Sequence, residues 1–205
     1  MFIQIIQGRC HDADRVHRLS DEWREKLGPS AEGWLGGTYG VTDDGEFVAV
    51  VRFSSREAAT ANARRPEQGE WWTQMHSCFD GEVTFHDCDN AMTFLGGGSD
   101  DAGFVQIIQG RVSDPDAFRH LMEEPMDTLR EARPEIIGGT IAIEPDGWFT
   151  QTVCFRTEEE ARQAEQQELP AEFRQRYEDQ MREVAELRYL DLHHPWFSSA
   201  AASAG

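Results

Sequence analysis

Phe2-Ile3-Gln4-Ile5-Ile6-Gln7-Gly8-Arg9 returns, with one conservative change, as Phe104-Val105-Gln106-Ile107-Ile108-Gln109-Gly110-Arg111. The same offset of 102 residues carries Gly36-Gly37-Thr38 onto Gly138-Gly139-Thr140. From Phe2 to Asn62, roughly a third of the positions match their partners without a gap, which marks a duplicated domain and not a short motif. Both octapeptides are rich in Ile, Val and Phe and end at Gly-Arg, so they read as first strands.

Working outward, each copy repeats one order of elements. Asp12 and Asp14, like Asp114 and Asp116, stand where they can cap a helix, and Val16, Leu19, Trp23 and Leu27 form the first helix's apolar stripe up to Gly28. The second copy keeps Phe118, Leu121, Met122 and Leu129 but carries Pro125 inside the stretch, which is expected to kink or shorten the helix. Two strands follow, Trp34 to Val41 and Glu46 to Phe53, joined by Asp44-Gly45; their counterparts, Ile136 to Ile143 and Trp148 to Phe155, are joined by Asp146-Gly147. Phe47, Val51 and Phe53, like Phe149, Val153 and Phe155, alternate onto a face that should meet helices. The opposite face, with Val48, Val50 and Arg52 against Thr150, Thr152 and Cys154, is mixed in polarity and reads as a pocket lining.

A second helix begins near Ser55 and Thr157, is interrupted around Pro66 and Pro170, and resumes with Trp71, Met75 and Phe79 opposite Phe173, Tyr177 and Met181. Final strands follow at Glu82 to Cys88 and Glu186 to Leu192. The order is β-α-β-β-α-β, an α+β unit with both helices on one face of an antiparallel sheet. The expected divisions are a first repeat over 1–88, a Gly/Asp-rich linker over 89–103, a second repeat over 104–194 and a flexible tail over 195–205. Each bare sheet face gains by being covered, so the two sheets are expected to pack face to face around a small-molecule pocket, better developed in the first half.

Composition narrows the partners. Against 19 Lys and Arg stand 38 Asp and Glu, a formal net charge of -19 that repels nucleic acid and anionic lipid. No apolar run is long enough for a membrane span and no basic leader is apparent, so a cytoplasmic protein is expected. Cys10, Cys78, Cys88 and Cys154 have no counterparts in the repeat and read as reduced, packed thiols.

The tandem βαββαβ order, the repeated strand opening and the stretch Pro66-Glu67-Gln68-Gly69-Glu70-Trp71-Trp72 together resemble the dimeric α/β-barrel superfamily of ferredoxin-like proteins. Within it, the chain is similar to the antibiotic-biosynthesis-monooxygenase type, with two units fused. The resemblance implies an intramolecular barrel and a pocket for a small hydrophobic or aromatic molecule. It also implies cofactor-independent oxygenation or rearrangement of an aromatic, polyketide-like substrate, against a non-catalytic ligand-binding or structural role, and more remotely haem binding or degradation. A fold alone does not choose among these. No cofactor and no metal site is expected, and a homodimer is compatible with the sequence.

The repeat separates packing from surplus. Trp71 and Met75 have apolar counterparts, whereas Trp72 and His76, one helical turn apart, stand opposite Arg174 and Glu178. An imidazole of ordinary pKa about 6.5 beside an indole suits a general base at the edge of an apolar pocket. Asn62, opposite Ala164, is placed to hydrogen-bond a developing anion. His76, Trp72 and Asn62 are therefore the catalytic candidates. Gln4, Gln106, Trp71, Arg52, Thr150 and Thr152 are the candidates for substrate contact. Arg9 and Arg111 read as ion-pair residues, and His86 with Cys88 lacks the spacing of a zinc site.

Overall fold

A computed structural model describes residues 1–122, 126–168, 170–182 and 184–199, without the side chains of Leu121, Met126, Asp127, Glu172, Phe173, Arg176, Tyr177 and Gln180. In chain order its elements are β1 (Phe2–Cys10), α1 (Ala13–Lys26), β2 (Trp34–Val41), β3 (Glu46–Phe53), α2 (Arg56–Ala63), α3 (Pro66–His76), β4 (Phe79–Cys88) and β5 (Asn90–Phe94). They continue with β6 (Phe104–Val112), α4 (Pro115–Met122), α5 (Met126–Ala132), β7 (Ile136–Ile143), β8 (Trp148–Phe155), α6 (Glu158–Glu165), α7 (Ala171–Arg182), β9 (Val184–Leu192) and β10 (Trp196–Ser199). The chain divides into two units, residues 1–89 with 194–205, and residues 90–193. Each holds one five-stranded antiparallel sheet, ordered β10-β2-β3-β1-β4 in the first and β5-β7-β8-β6-β9 in the second.

Local chemistry sets the boundaries where the sequence placed them. Asp12 accepts from the Arg15 amide at 3.0 Å and Asp114 from the Ala117 amide at 2.9 Å, each satisfying an orphan donor at a helix start. Ser55 and Thr157 do the same for α2 and α6. Gly45 and Gly147 take φ of 85° and 89° in the two hairpins. Phe47, Val51 and Phe53 join Val16, Leu19, Trp23 and Met75 in the first core, and Phe149, Val153 and Phe155 join Phe118 in the second. Leu121, Pro125, Phe173 and Tyr177, on which other expectations rested, lie outside the described side chains. Phe79 is not helical but opens β4, because α3 ends at His76.

Two segments expected to be irregular are strands. The presumed linker supplies β5, paired with β7, and the presumed tail supplies β10, paired with β2. They are counterparts 104 residues apart: Met92 lies opposite Ile141 as Trp196 lies opposite Tyr39. The repeated unit therefore has a fifth strand, and each copy's fifth strand completes the sheet of the other unit. The repeated Gly-Gly makes room for it. A β-carbon on Gly36 would sit 2.6 Å from the Ser198 carbonyl of β10, and one on Gly139 would collide with the Phe94 ring of β5.

Trp196 carries the first exchange. Its ring stacks on Tyr39 (6.3 Å, 11°) and on His17 (4.6 Å, 19°), placing β10 against α1. All four cysteines are buried, and none is in a disulfide. Burial pushes the Cys10 and Cys78 thiols up from their ordinary range.

Candidate functional site

Each unit has its cavity between its own sheet and its own helices. The face expected to line a pocket is instead packed: Val48, Val50, Thr150, Thr152 and Cys154 are buried. Thr150 accepts a hydrogen bond from the Gln109 amide at 2.9 Å, and Thr152 shares one with Thr140 at 2.7 Å. Neither threonine, nor Arg52, reaches either cavity.

In strand register, one transverse row of side chains runs across the helix-facing side of each sheet. In the first it is Trp196, Tyr39, Ala49, Ile6 and Phe85; in the second it is Met92, Ile141, Gln151, Ile108 and Tyr189. Above the first row, α1 and α3 bring Trp23, Trp71, Trp72 and Met75, and the space left is about 70 Å³. That holds about two waters at ~30 Å³ each. Above the second row the described walls are Phe118, Met122, Leu129 and Met181, and the cavity is about 230 Å³. An apolar cavity of ~150 Å³ already takes benzene, so the second space suits one or two fused rings. The better-developed cavity is thus in the second unit, the reverse of the expectation, and Ile136 and Ile141 line it where the first copy has Trp34 and Tyr39.

Four of the singled-out residues, Gln4, Asn62, Trp71 and Trp72, meet at the first cavity, and Gln106 is at the second. Their polar groups are largely engaged. Trp71 donates its indole N–H to the Leu19 carbonyl at 2.8 Å, and Asn62 accepts from Arg65 at 3.0 Å. His76 does not join them. It is exposed at the end of α3, 6.3 Å from the Trp72 ring, with no part in the cavity lining. The helical spacing was right, but the indole turns inward and the imidazole outward.

A shared polar frame edges both sheets. Gln4 donates to Asp87 at 2.8 Å, and Arg56 holds Asp87 while lying 4.9 Å over the Phe2 ring. In the second unit Gln106 donates to Asp191 at 3.2 Å, and Arg162 holds Asp191 while lying 5.3 Å over Phe104. The arginines differ by one helical turn in the repeat, yet their guanidinium groups reach equivalent places. Asp89 beside Arg56, and Asp191 beside Arg162, raise these guanidinium pKa values further. Glu165 accepts from Arg162 at 3.0 Å and from Gln106 at 3.5 Å, and lines the second cavity.

The sequence reading passed over Arg133, Gln151 and Glu165, all of which line the second cavity. At the matching positions of the first copy stand Ala31, Ala49 and Ala63. Three alanines against an arginine, an amide and a carboxylate is the surplus signal already used for Trp72 and His76, applied in the other direction. Arg133 and Gln151 are half-buried and Glu165 is exposed at the cavity edge, so the packing of the core does not demand these polar groups.

Among the described residues no cluster of His, Cys, Asp and Glu could hold a metal ion, and no helix is long and apolar enough to cross a membrane. The residues do not fit haem either. His76 faces away from the cavity, and a porphyrin exceeds the space in either unit.

No family model and no curated protein sequence matches the chain. Solved structures do. A candidate monooxygenase from Lactobacillus acidophilus superposes with a TM-score of 0.75 at 14% identity, covering 97% of both chains. One from Fusobacterium nucleatum gives 0.74 at 8% identity over 97% of this chain and 94% of its own. An anthrone oxidase-like protein gives 0.66 at 12% identity over 100% of this chain and 95% of its own. At these identities the likeness establishes the fold, tandem ferredoxin-like units along the whole chain.

Proposed function

From a fold shared along its length with monooxygenase-like proteins, we propose that the chain binds a small aromatic molecule in the cavity of its second unit and oxygenates it without a cofactor. The observation that carries this reading is the 230 Å³ space with apolar walls and three polar side chains where the first copy has alanines. The anthrone oxidase-like neighbour supports an aromatic substrate by its name. In the chemistry that suits this lining, an electron-rich phenol gives its proton to the Glu165 carboxylate. The anion then passes an electron to dioxygen, and recombination with loss of water converts phenol and O2 to quinone and water. The protein's part is to orient the ring and hold the proton.

One observation favours a second reading, a binder without catalysis: Glu165 already accepts from both Arg162 and Gln106. Thermal shift and oxygen uptake with 1-naphthol separate the two. The first reading expects a raised melting midpoint together with O2 consumption that falls at least tenfold in Glu165→Gln. A raised midpoint with no uptake supports the binder, and no shift at saturating ligand overturns both.

A further inference from the structure

We infer that Gln151, assisted by Arg133, makes the second cavity selective for aromatic ligands bearing an oxygen acceptor, such as a phenolate, enolate or quinone carbonyl. The inference rests on the cavity being a ligand site, as proposed above. Gln151 sits at the centre of the transverse row, between Ile141 on β7 and Ile108 on β6, on the helix-facing side of the sheet. Its neighbours in register are both aliphatic. Its amide lines the cavity and has no hydrogen-bond partner among the described residues. Half-buried on the cavity wall and unpaired, this amide is available to a polar group on whatever enters the cavity.

Arg133 strengthens the case from a different element. It follows α5, lines the same cavity, and spends its Nε–H on Glu135; among the described residues its terminal N–H groups have no partner. Both side chains are N–H donors, and an oxygen on the ligand is the group that uses them. The amide oxygen of Gln151 also accepts, so a hydroxyl and a carbonyl on one ring system both find partners. In the first copy Ala49 and Ala31 hold these positions, and the remaining space there fits water only. The cation stands in a chain of net charge -19, so selectivity for an oxyanion has to be local to the cavity wall.

The test compares 1-naphthol with naphthalene, which match in shape and differ by one hydroxyl, on the whole chain and on Gln151→Leu and Gln151→Ala. Wild type is expected to bind 1-naphthol about tenfold more tightly, the scale of a hydrogen bond to an otherwise unpaired group. In both variants that preference should collapse to about onefold while naphthalene affinity is kept, which also shows that the cavity is intact. A tenfold preference that survives both substitutions overturns the role of Gln151. Equal binding of the two ligands by wild type overturns the selectivity without disturbing the cavity reading. Failure of wild type to bind either ligand overturns the cavity reading itself.

Discussion

The two units are copies of one design, and they differ in what fills the space between sheet and helices. In the first, tryptophans from α1 and α3 and the Tyr39–Trp196 stack close it down to about 70 Å³. In the second, aliphatic residues replace Trp34 and Tyr39, three alanines become polar, and about 230 Å³ is left open. The same frame occurs twice, filled by aromatic packing in one unit and holding a lined cavity in the other. Large rings add area burial and rigid contact, so a filled cavity gives stability where an open one gives capacity.

The comparison breaks most readily at the exchanged strands. Trp196→Ala removes a ring stacked between His17 and Tyr39 and is expected to cost about 2–4 kcal/mol, while Met92→Ala at the matching place costs about 1–2 kcal/mol. Chemical denaturation of the two variants decides it, and equal losses would mean that β10 and β5 contribute alike. Next in size, Ile141→Tyr restores the first unit's ring to the second unit's row and should weaken 1-naphthol binding at least tenfold, about 1.4 kcal/mol, read by calorimetry. Unchanged affinity would show that the ligand does not use this floor.

A smaller effect concerns the bulge on each edge strand. Gly81 takes φ 79°, and Glu186, at the equivalent bulge of β9, is held at φ 54°, a region that disfavours a side chain. Glu186→Gly is expected to stabilise by about 1 kcal/mol, because its ion pair with Arg111 is exposed and worth little. The smallest effect is at the first hairpin. The Thr42 hydroxyl holds the Asp44 carboxyl below its ordinary pKa of about 3.9. The resulting stability is present above that ordinary value and lost as pH falls through the lower folded one. Thr42→Ala should therefore return Asp44 toward the ordinary range in an NMR titration, and part of its destabilisation should be present at pH 6 and absent at pH 2.

Much of the fold was legible because it depends on local rules that the repeat states twice. Asp12 and Asp114 cap, Gly45 and Gly147 turn, and Phe47 and Phe149 alternate into their cores. The fifth strands were not legible. Asn90–Phe94 and Trp196–Ser199 are short, follow the recognisable repeat, and pair with residues far away in sequence, so no local period announces them. The site was legible in part. Reading residues present in the first copy and missing from the second found Trp72 and Asn62; the reverse comparison was needed for Arg133, Gln151 and Glu165. His76 was misjudged because helical spacing fixes which residues share a stripe but not whether the outer member reaches the cavity.

Isoleucine methyl groups report on both cavities at once: Ile108, Ile136 and Ile141 line the second, and Ile6 lines the first. In methyl NMR spectra recorded during a 1-naphthol titration, saturable shifts are predicted at the first three with Ile6 unmoved. Shifts at Ile6 alone, or none at saturating ligand, would contradict the assignment of the ligand site to the second unit.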